Sequence, residues 1–365
     1  MSYNRPESAF PVVHSLDEQR WRQFAERHDQ SNIFHTPEMF QVFAQAQGHH
    51  PTLWATTDLD GQVLALLTPV QVTVVGGLLR RLTTRAVAYG SLLCDPSPIG
   101  RQALQCLLEA YVRTAKRQSI YTELRNLSDL SQHQPMLQSS GFDYTDHLNY
   151  LIDLARPAEA IMKSMGRRTR QQIRRALRQG YVHIELVTTR QELAPWYAVL
   201  QKTYHHARVP LAERSLFEAA FDVLHPLGMI EFRVARVGDA CAAVSAELLY
   251  KDVIYGWYGG TDRHYGHLCP NELLTWHILE SGAQSGYKVY DFGGAGRPHE
   301  KYGVRDFKAK FGGDLVCFGR NTCVHSPLLF GLSTLGYRAY HHRLPVSASR
   351  RRFEPLENLQ VRERK

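Results

Sequence analysis

The segment richest in groups that could do chemistry runs from Tyr290 to Asp314, YDFGGAGRPHEKYGVRDFKAKFGGD. A strand-forming run, Lys288–Phe292, ends in Gly293-Gly294, and glycines there let backbone N–H groups approach a ligand closely. Arg305, Lys308 and Lys310 follow, interleaved with Phe307 and Phe311. Read as an extended chain, Phe307, Ala309 and Phe311 share one face while Lys308 and Lys310 turn together to the other. Two cations over one point suit the oxyanion that develops when an amine attacks an ester or thioester. The plain alternative is an ordinary strand with solvated lysines. The same attack needs a proton acceptor, for which Asp306 and Glu247 are the candidates, and Tyr258 could donate a proton. Glu247 lies in a strand next to this segment, where a buried structural role fits equally well. No Ser-His-Asp or Cys-His spacing stands out, and aminolysis needs no covalent intermediate.

Two further segments could hold phosphate. Arg167–Gly180, RRTRQQIRRALRQG, places six arginines in twelve residues with no acid among them. At 3, 4 and 4 spacing, Arg167, Arg170, Arg174 and Arg178 share a helix face. Ile161, Met165, Ile173 and Leu177 form an apolar stripe beside it. Such a helix could grip nucleic-acid phosphates or an anionic membrane, or simply present a solvated face. The second segment is Arg263-His-Tyr-Gly-His-Leu268, between the strand Val253–Tyr258 and a helix from Asn271. A glycine-bearing loop before a helix N-terminus can cradle a pyrophosphate. Arg263 and Gly266 are the residues of this loop that could carry that role.

Composition allows these sites to be folded. The chain has 365 residues, 44% hydrophobic and 21% charged, enough for two domains with real cores. Its net charge of +8 and pI of about 9.2 suit polyanionic partners, whether nucleic acid, an anionic membrane surface or a phosphorylated substrate, or mark a merely basic soluble protein. The first thirteen residues lack a signal-peptide apolar core, and no run of 18 apolar residues occurs anywhere. Pro327–Tyr340 is the nearest, and its glycines and Arg338 mark it as a packed helix. Six cysteines without a CxxC pair read as reduced thiols, and eighteen histidines without metal-ligand spacing give no metal site. The expected compartment is the cytoplasm, with the inner membrane face as the place where a basic surface would dock.

The elements that position these residues repeat. Helices are expected at Leu16–His28 and from Thr36-Pro37, where Thr36 caps and Pro37 suits the first turn. Strands follow at Thr52–Thr57, Val63–Val75 and Ala86–Cys94, then a helix at Arg101–Lys116 and strands at Ile120–Leu124 and Leu148–Leu154. A long basic helix spans Pro157–Gln179, ended by Gly180. Then come a strand at Val182–Val187, helices at Leu193–His205 and Leu216–Leu224, a hairpin at Ile230–Tyr250, the strand Val253–Tyr258, the helix Asn271–Gly286 and the strand Lys288–Phe292. Helices, hairpin, strand, helix, strand occur twice, which implies two copies of one α/β unit. The units are drawn at 1–154 and 181–345, joined by 155–180, with 346–365 as a disordered basic tail.

DFGG at Asp291–Gly294 followed by GVRDFKAKFGG at Gly303–Gly313 resembles the C-terminal signature of the FemAB/FemX family. SNIFHTPE at Ser31–Glu38, the arginine helix and PNELLTW at Pro270–Trp276 are similar to other segments of that family. The resemblance covers about residues 31–320. It implies an α/β (α+β) fold of two tandem GNAT-like domains, each a mixed twisted sheet flanked by helices. It also implies transfer of an amino acid from aminoacyl-tRNA to a peptidoglycan precursor, a phosphorylated or lipid-linked acceptor, with no tightly bound cofactor. By resemblance the transfer-site lysine falls on Lys308, and an arginine for the nucleotide diphosphate falls on Arg208. The family's lysine in the first helical region has no counterpart, since Gln41–Gln47 contains none. The GNAT side of the resemblance implies acyl-CoA as the other donor, held at Arg263–Leu268, for an acyltransferase acting on an amino sugar or metabolite. A catalytically silent scaffold for polyanions or membranes is the reading from a different class.

Overall fold

A computed structural model describes residues 10–73 and 83–342. The first half contains β1 (Val12–Val13), α1 (Glu18–Arg27), α2 (Pro37–Gln45), β2 (His49–Pro51), β3 (Trp54–Thr57), β4 (Val63–Leu67), β5 (Val70–Thr73), β6 (Thr84–Ala88), β7 (Leu92–Cys94), α3 (Pro98–Ala115), β8 (Tyr121–Arg125), α4 (Gln134–Ser139), β9 (Asp143–Thr145) and β10 (Leu148–Asp153). α5 (Ala158–Ser164) and α6 (Arg167–Gln179) lead into the second. There follow β11 (His183–Leu186), α7 (Leu193–Ala207), α8 (Arg214–Leu224), β12 (Ile230–Val237), β13 (Ala240–Tyr250), β14 (Val253–Thr261), α9 (Pro270–Gln284), β15 (Val289–Gly294), α10 (Gly303–Ala309), β16 (Asp314–Cys317), β17 (Arg320–Val324) and α11 (Pro327–His342).

Local chemistry accounts for most boundaries. Thr36 accepts the amide of Met39 at 3.2 Å, and Pro37 starts α2, as expected from its sequence. Gly180 ends α6 with φ +64°, a left-handed conformation that suits glycine. The run Val63–Val75, expected as one strand, breaks at Thr68-Pro69, because proline cannot donate to a ladder; Val74 and Val75 lie outside the described residues. The expected single strand Ala86–Cys94 turns at Ser91, which has φ 69°.

The halves complete each other. One sheet has the order β11-β12-β13-β14-β15-β10-β16, another β2-β5-β6-β8-β17-β9, and β1-β3-β4-β7 form a third. β10, from the first half, thus pairs between β15 and β16 of the second. β17, from the second half, pairs between β8 and β9 of the first. Sheet pairing therefore crosses the boundary drawn at residue 154, and neither sheet closes without a strand from the other half. The core is shared in the same way. Phe34, Met39, Val42 and Phe43 pack in one cluster with Trp196, Leu200, Phe217 and Phe232.

Two expectations need correction. The basic helix Pro157–Gln179 is two helices, α5 and α6, separated at Met165-Gly166, where the Gly166 amide is drawn to the carbonyl of Lys310 at 3.0 Å. In its apolar stripe Ile161, Met165 and Ile173 are buried, but Leu177 is exposed, and Thr169 and Ala176 fill the packed face instead. The segment Gly303–Gly313 is not extended. It begins as α10, with the Arg305 and Asp306 amides bonded to the Tyr302 carbonyl. Phe307 and Phe311, four residues apart, meet edge to face at 5.2 Å. Gly312 and Gly313, at φ +74° and +103°, end it. The expected tail 346–365 lies outside the described residues. No helix among them is long and apolar enough to cross a membrane.

Candidate active site

β14 and β15 are parallel neighbours for only three residue pairs, Val253 with Val289, Ile254 with Tyr290 and Tyr255 with Asp291. Beyond Tyr255 they part, β14 continuing to Thr261 and β15 to Gly294. β14 is also bulged at Trp257, since Ala246 faces Tyr258 while Glu247 faces Gly256. From Gly256 to Gly260 one edge of β14 therefore pairs with no strand among the described residues, leaving backbone groups for a ligand. The gap is held open from below. Lys308, on α10, donates to the carbonyls of Phe292, Gly293 and Gly294 at 2.5, 3.2 and 2.8 Å. Gly293 has φ +70°, and a β-carbon there would stand 3.1 Å from the Tyr255 hydroxyl. The glycine pair expected to face a ligand thus terminates the splayed strand.

Two buried carboxyl groups flank the gap on opposite faces, because Tyr290 and Asp291 are consecutive in a strand. Glu247 shares the α9 face with Tyr290 and is buried, and desolvation pushes its carboxyl up to about 7. Asp291 lies on the other face. It accepts the Gly293 amide at 2.7 Å and the Asn149 side-chain amide at 3.3 Å. Burial pushes it up to about 6, against the pull of the Gly293 amide and the Lys308 ammonium. An acid at that value is ionised at neutral pH and still basic enough to take a proton.

The face of Asp291 opens onto a polar cluster at the junction of the halves. Arg125, on β8, gives Nε–H to Glu123 at 2.7 Å, and Arg320, on β17, reaches the other oxygen at 3.2 Å. Although burial opposes its ionisation, Arg320 and Arg125 hold Glu123 well below the usual carboxylate range. The Arg125 guanidinium lies over the Tyr89 ring at 5.1 Å. Burial, with Asp291 as neighbour, raises the Tyr255 hydroxyl. Burial and Arg320 bring His147 down to about 3, so it is neutral. Sequence reasoning missed this cluster. Glu123 and Arg125 share a face of β8 by their spacing, but nothing local brings Arg320 to them; it arrives because β17 crosses into the first sheet.

The expected residues are distributed as follows. Lys308 is buried as the tie of the splayed strand, and desolvation lowers its ammonium to about 8. All three of its N–H bonds are spent on carbonyls, so contact with an oxyanion would require releasing one. Lys310 does not join it. The helix turns Lys310 outward, over Phe307 at 5.1 Å and 3.4 Å from Glu272. Arg305 folds the loop back through the carbonyls of Ala295, Pro298 and Arg297. Asp306 is exposed on α10. Tyr258 packs against Phe217 and Tyr204, across the sheet from Glu247, so those two are not brought together. Arg208 caps α7 at φ +56°. Arg263 and Gly266 are exposed in a short 3-10 turn, Arg263–Leu268. Of the α6 arginines, Arg167 and Arg174 are exposed and Arg170 bonds back to the Lys163 carbonyl. It is Arg168 and Arg175 that lie, with Lys310, around Cys269 at the N-terminus of α9. Among the described residues no group of three or more His, Cys, Asp or Glu side chains is placed to hold a metal ion.

Part of the chain matches a family model, and its fold as a whole matches solved structures. Residues 163–308 match the family model described as an acetyltransferase (GNAT) domain. No curated protein matches the chain. Among solved structures, FemX is similar over 88% of this chain and 99% of its own, with a TM-score of 0.68 and 15% identity. L-PGS from Bacillus licheniformis matches over 89% and 97%, with a TM-score of 0.55 and 14% identity. A tandem GNAT protein from the clavulanic acid biosynthesis pathway matches over 87% and 99%, with a TM-score of 0.55 and 11% identity. At these identities the likeness is one of fold, and it bears out the expected mixed α/β architecture of twisted sheets flanked by helices. The chain is an acyltransferase with a tandem GNAT fold, residues 163–308 matching the acetyltransferase domain.

Proposed function

We propose that the chain is a FemAB-like N-acyltransferase that moves an amino acid from aminoacyl-tRNA to an amine of a peptidoglycan or other cell-envelope precursor. The observation that carries the choice of donor is the surface around the mouth of the β14–β15 gap. Coenzyme A would need free backbone donors at the loop before α9. There His264 is bonded to Asp262 at 3.1 Å and Cys269 to Gly266 at 3.2 Å, and Pro270 has no N–H. Glu272, in the first turn of α9, pairs with Lys310 at 3.4 Å and so occupies the lysine nearest that helix end. Beside it, α6 offers six arginines without an interspersed acid. A long polyanion that reaches the gap across α6 fits this surface better than a short pyrophosphate held at the loop. The aminoacyl ester would lie along the free edge of β14, and the acceptor amine would approach from the Asp291 face and lose its proton there.

The acceptor side draws support from α11. Leu328, Leu332 and Leu335 share one helix face and are 83%, 58% and 60% exposed. The following residues, 343–365, contain six arginines and a lysine against three glutamates. An exposed apolar face next to basic sequence suits the surface of an anionic bilayer, which would put the enzyme at the inner membrane face. Flotation with vesicles containing phosphatidylglycerol is expected for the intact chain and absent for Leu332→Asp. Equal flotation of both proteins would remove α11 from this role.

The donor is tested by mass spectrometry. Purified protein is incubated with a charged tRNA pool, or with mixed acyl-CoA, and an extract of amine-bearing envelope precursors. The expected product is one amino acid heavier and disappears when RNase is added first. An RNase-resistant acyl increment that requires coenzyme A would overturn the tRNA donor in favour of the Arg263–Leu268 loop. No product with either donor would overturn the envelope-precursor acceptor.

A further inference from the structure

Arg125 and Arg320 stand directly opposite each other on neighbouring antiparallel strands. Like charges in that position repel, and a fold normally avoids the pairing or compensates it. Compensation here is incomplete. Among the described residues Glu123 is the one carboxylate bonded to them, at 2.7 and 3.2 Å. Arg85 adds a third guanidinium to the same cluster. Its Nη1 reaches the Tyr121 hydroxyl at 3.3 Å, while its Nε is buried without a partner. Three cations against one anion leave an excess of two positive charges in a largely buried place. Unpaired buried charge is among the costlier features a fold can keep.

The cluster is open enough to be reached, with the Arg125 and Arg320 side chains 31% and 27% exposed. Stacking on Tyr89 fixes the plane of Arg125, so its fork is preset rather than mobile. Each guanidinium uses one nitrogen on Glu123 and keeps others that could bind an oxyanion in bidentate fashion. The position also matters. Arg320 Nη2 would be 3.7 Å from a β-carbon on Gly294, the last residue of the splayed strand. Tyr255 lies between the cluster and Asp291, feeling the charge of Arg125, Arg320 and Asp291 alike.

We propose that Arg125 and Arg320 form a binding subsite for a small oxyanion, a carboxylate or a phosphate, carried by the acyl acceptor. The site is built across the two halves and anchors the acceptor beside the end of β15, with its amine toward Asp291. The acceptor's share in this rests on the acyl-transfer reading, whereas the anion site itself does not.

The test is thermal unfolding of the full chain in rising inorganic phosphate or acetate, with ionic strength held constant by sodium chloride. Either anion at about ten times its Kd is expected to raise the Tm by about 2 °C or more. A response to phosphate alone identifies a phosphate site, and a response to acetate as well identifies a site that also takes carboxylates. Arg320→Gln should lose the response while its Tm without added anion stays close to that of the parent, because Glu123 keeps Arg125. Arg125→Gln provides a second reading should Arg320→Gln fold poorly. The proposal is overturned if neither anion shifts the parent at matched ionic strength, or if the shift survives both substitutions. Because this titration needs no donor, failure of the RNase experiment leaves its outcome untouched, and the two ideas fall separately.

Discussion

Asp291→Asn is expected to lower kcat/KM by about 10²- to 10⁴-fold, the usual contribution of a positioned general base, while leaving the fold intact. The amide oxygen of asparagine can still accept the Gly293 N–H, the 2.7 Å bond that shapes the end of β15. Asn149 can turn its own amide to meet the new one. What the substitution removes is the proton acceptor at the point where β14 and β15 part. The pH profile separates this from a merely structural loss. The carboxyl is raised to about 6 by burial, and the base is active when deprotonated. Parent kcat/KM should therefore rise with pH through about 6 and level off above it. The variant should lack that limb. If the limb persists in Asp291→Asn with turnover unchanged, the proton goes elsewhere, and Glu247, raised to about 7, becomes the group to test.

Lys308→Met is expected to reduce turnover by about 10²-fold or more, comparable to losing a preorganised donor or a 1 Å misplacement of reacting groups. It should also destabilise the protein by about 2–4 kcal/mol, since a buried charged donor to three carbonyls is removed and methionine replaces only its volume. With all three N–H bonds committed, Lys308 acts here as a positioning residue for Phe292–Gly294. The readout that distinguishes this role is amide hydrogen exchange. Exchange at Gly293, Gly294 and Ala295 should speed up in the variant as the splayed end loosens. A variant that loses activity yet keeps its Tm and its exchange protection would point instead to direct contact between the ammonium and the reacting carbonyl.

Much of the architecture could be read from the sequence. Periodicity and capping located most helices and strands, because Thr36, Pro37 and Gly180 act through their own backbone neighbours. The doubled order of elements was visible for the same reason. The signature at Asp291–Gly313 drew attention to the strand end and to Lys308 through residue types alone. Its geometry was misread. Alternating aromatic and basic residues fit both a period of two and an i, i+4 helical pairing, and over so short a run only packing decides. Here Phe307 meets Phe311 along α10, so Lys308 is buried and Lys310 exposed instead of both facing one point.

What the tertiary structure alone decided is the site at the junction. Asp291 stands out in the sequence only as part of a motif. Its acid–base character comes from burial and from the two amides it accepts. Glu247 and Tyr258 seemed able to work together, but the bulge at Trp257 and the alternation of β14 set them on opposite faces of the sheet. Arg125 and Arg320 are nearly two hundred residues apart, and no local rule joins them. They meet because each half lends its last strand to the other's sheet, a pairing fixed by the closure of two cores at once. Local chemistry determined the elements and their order. Long-range strand exchange determined which charges face each other, and with them the place where a substrate can be held.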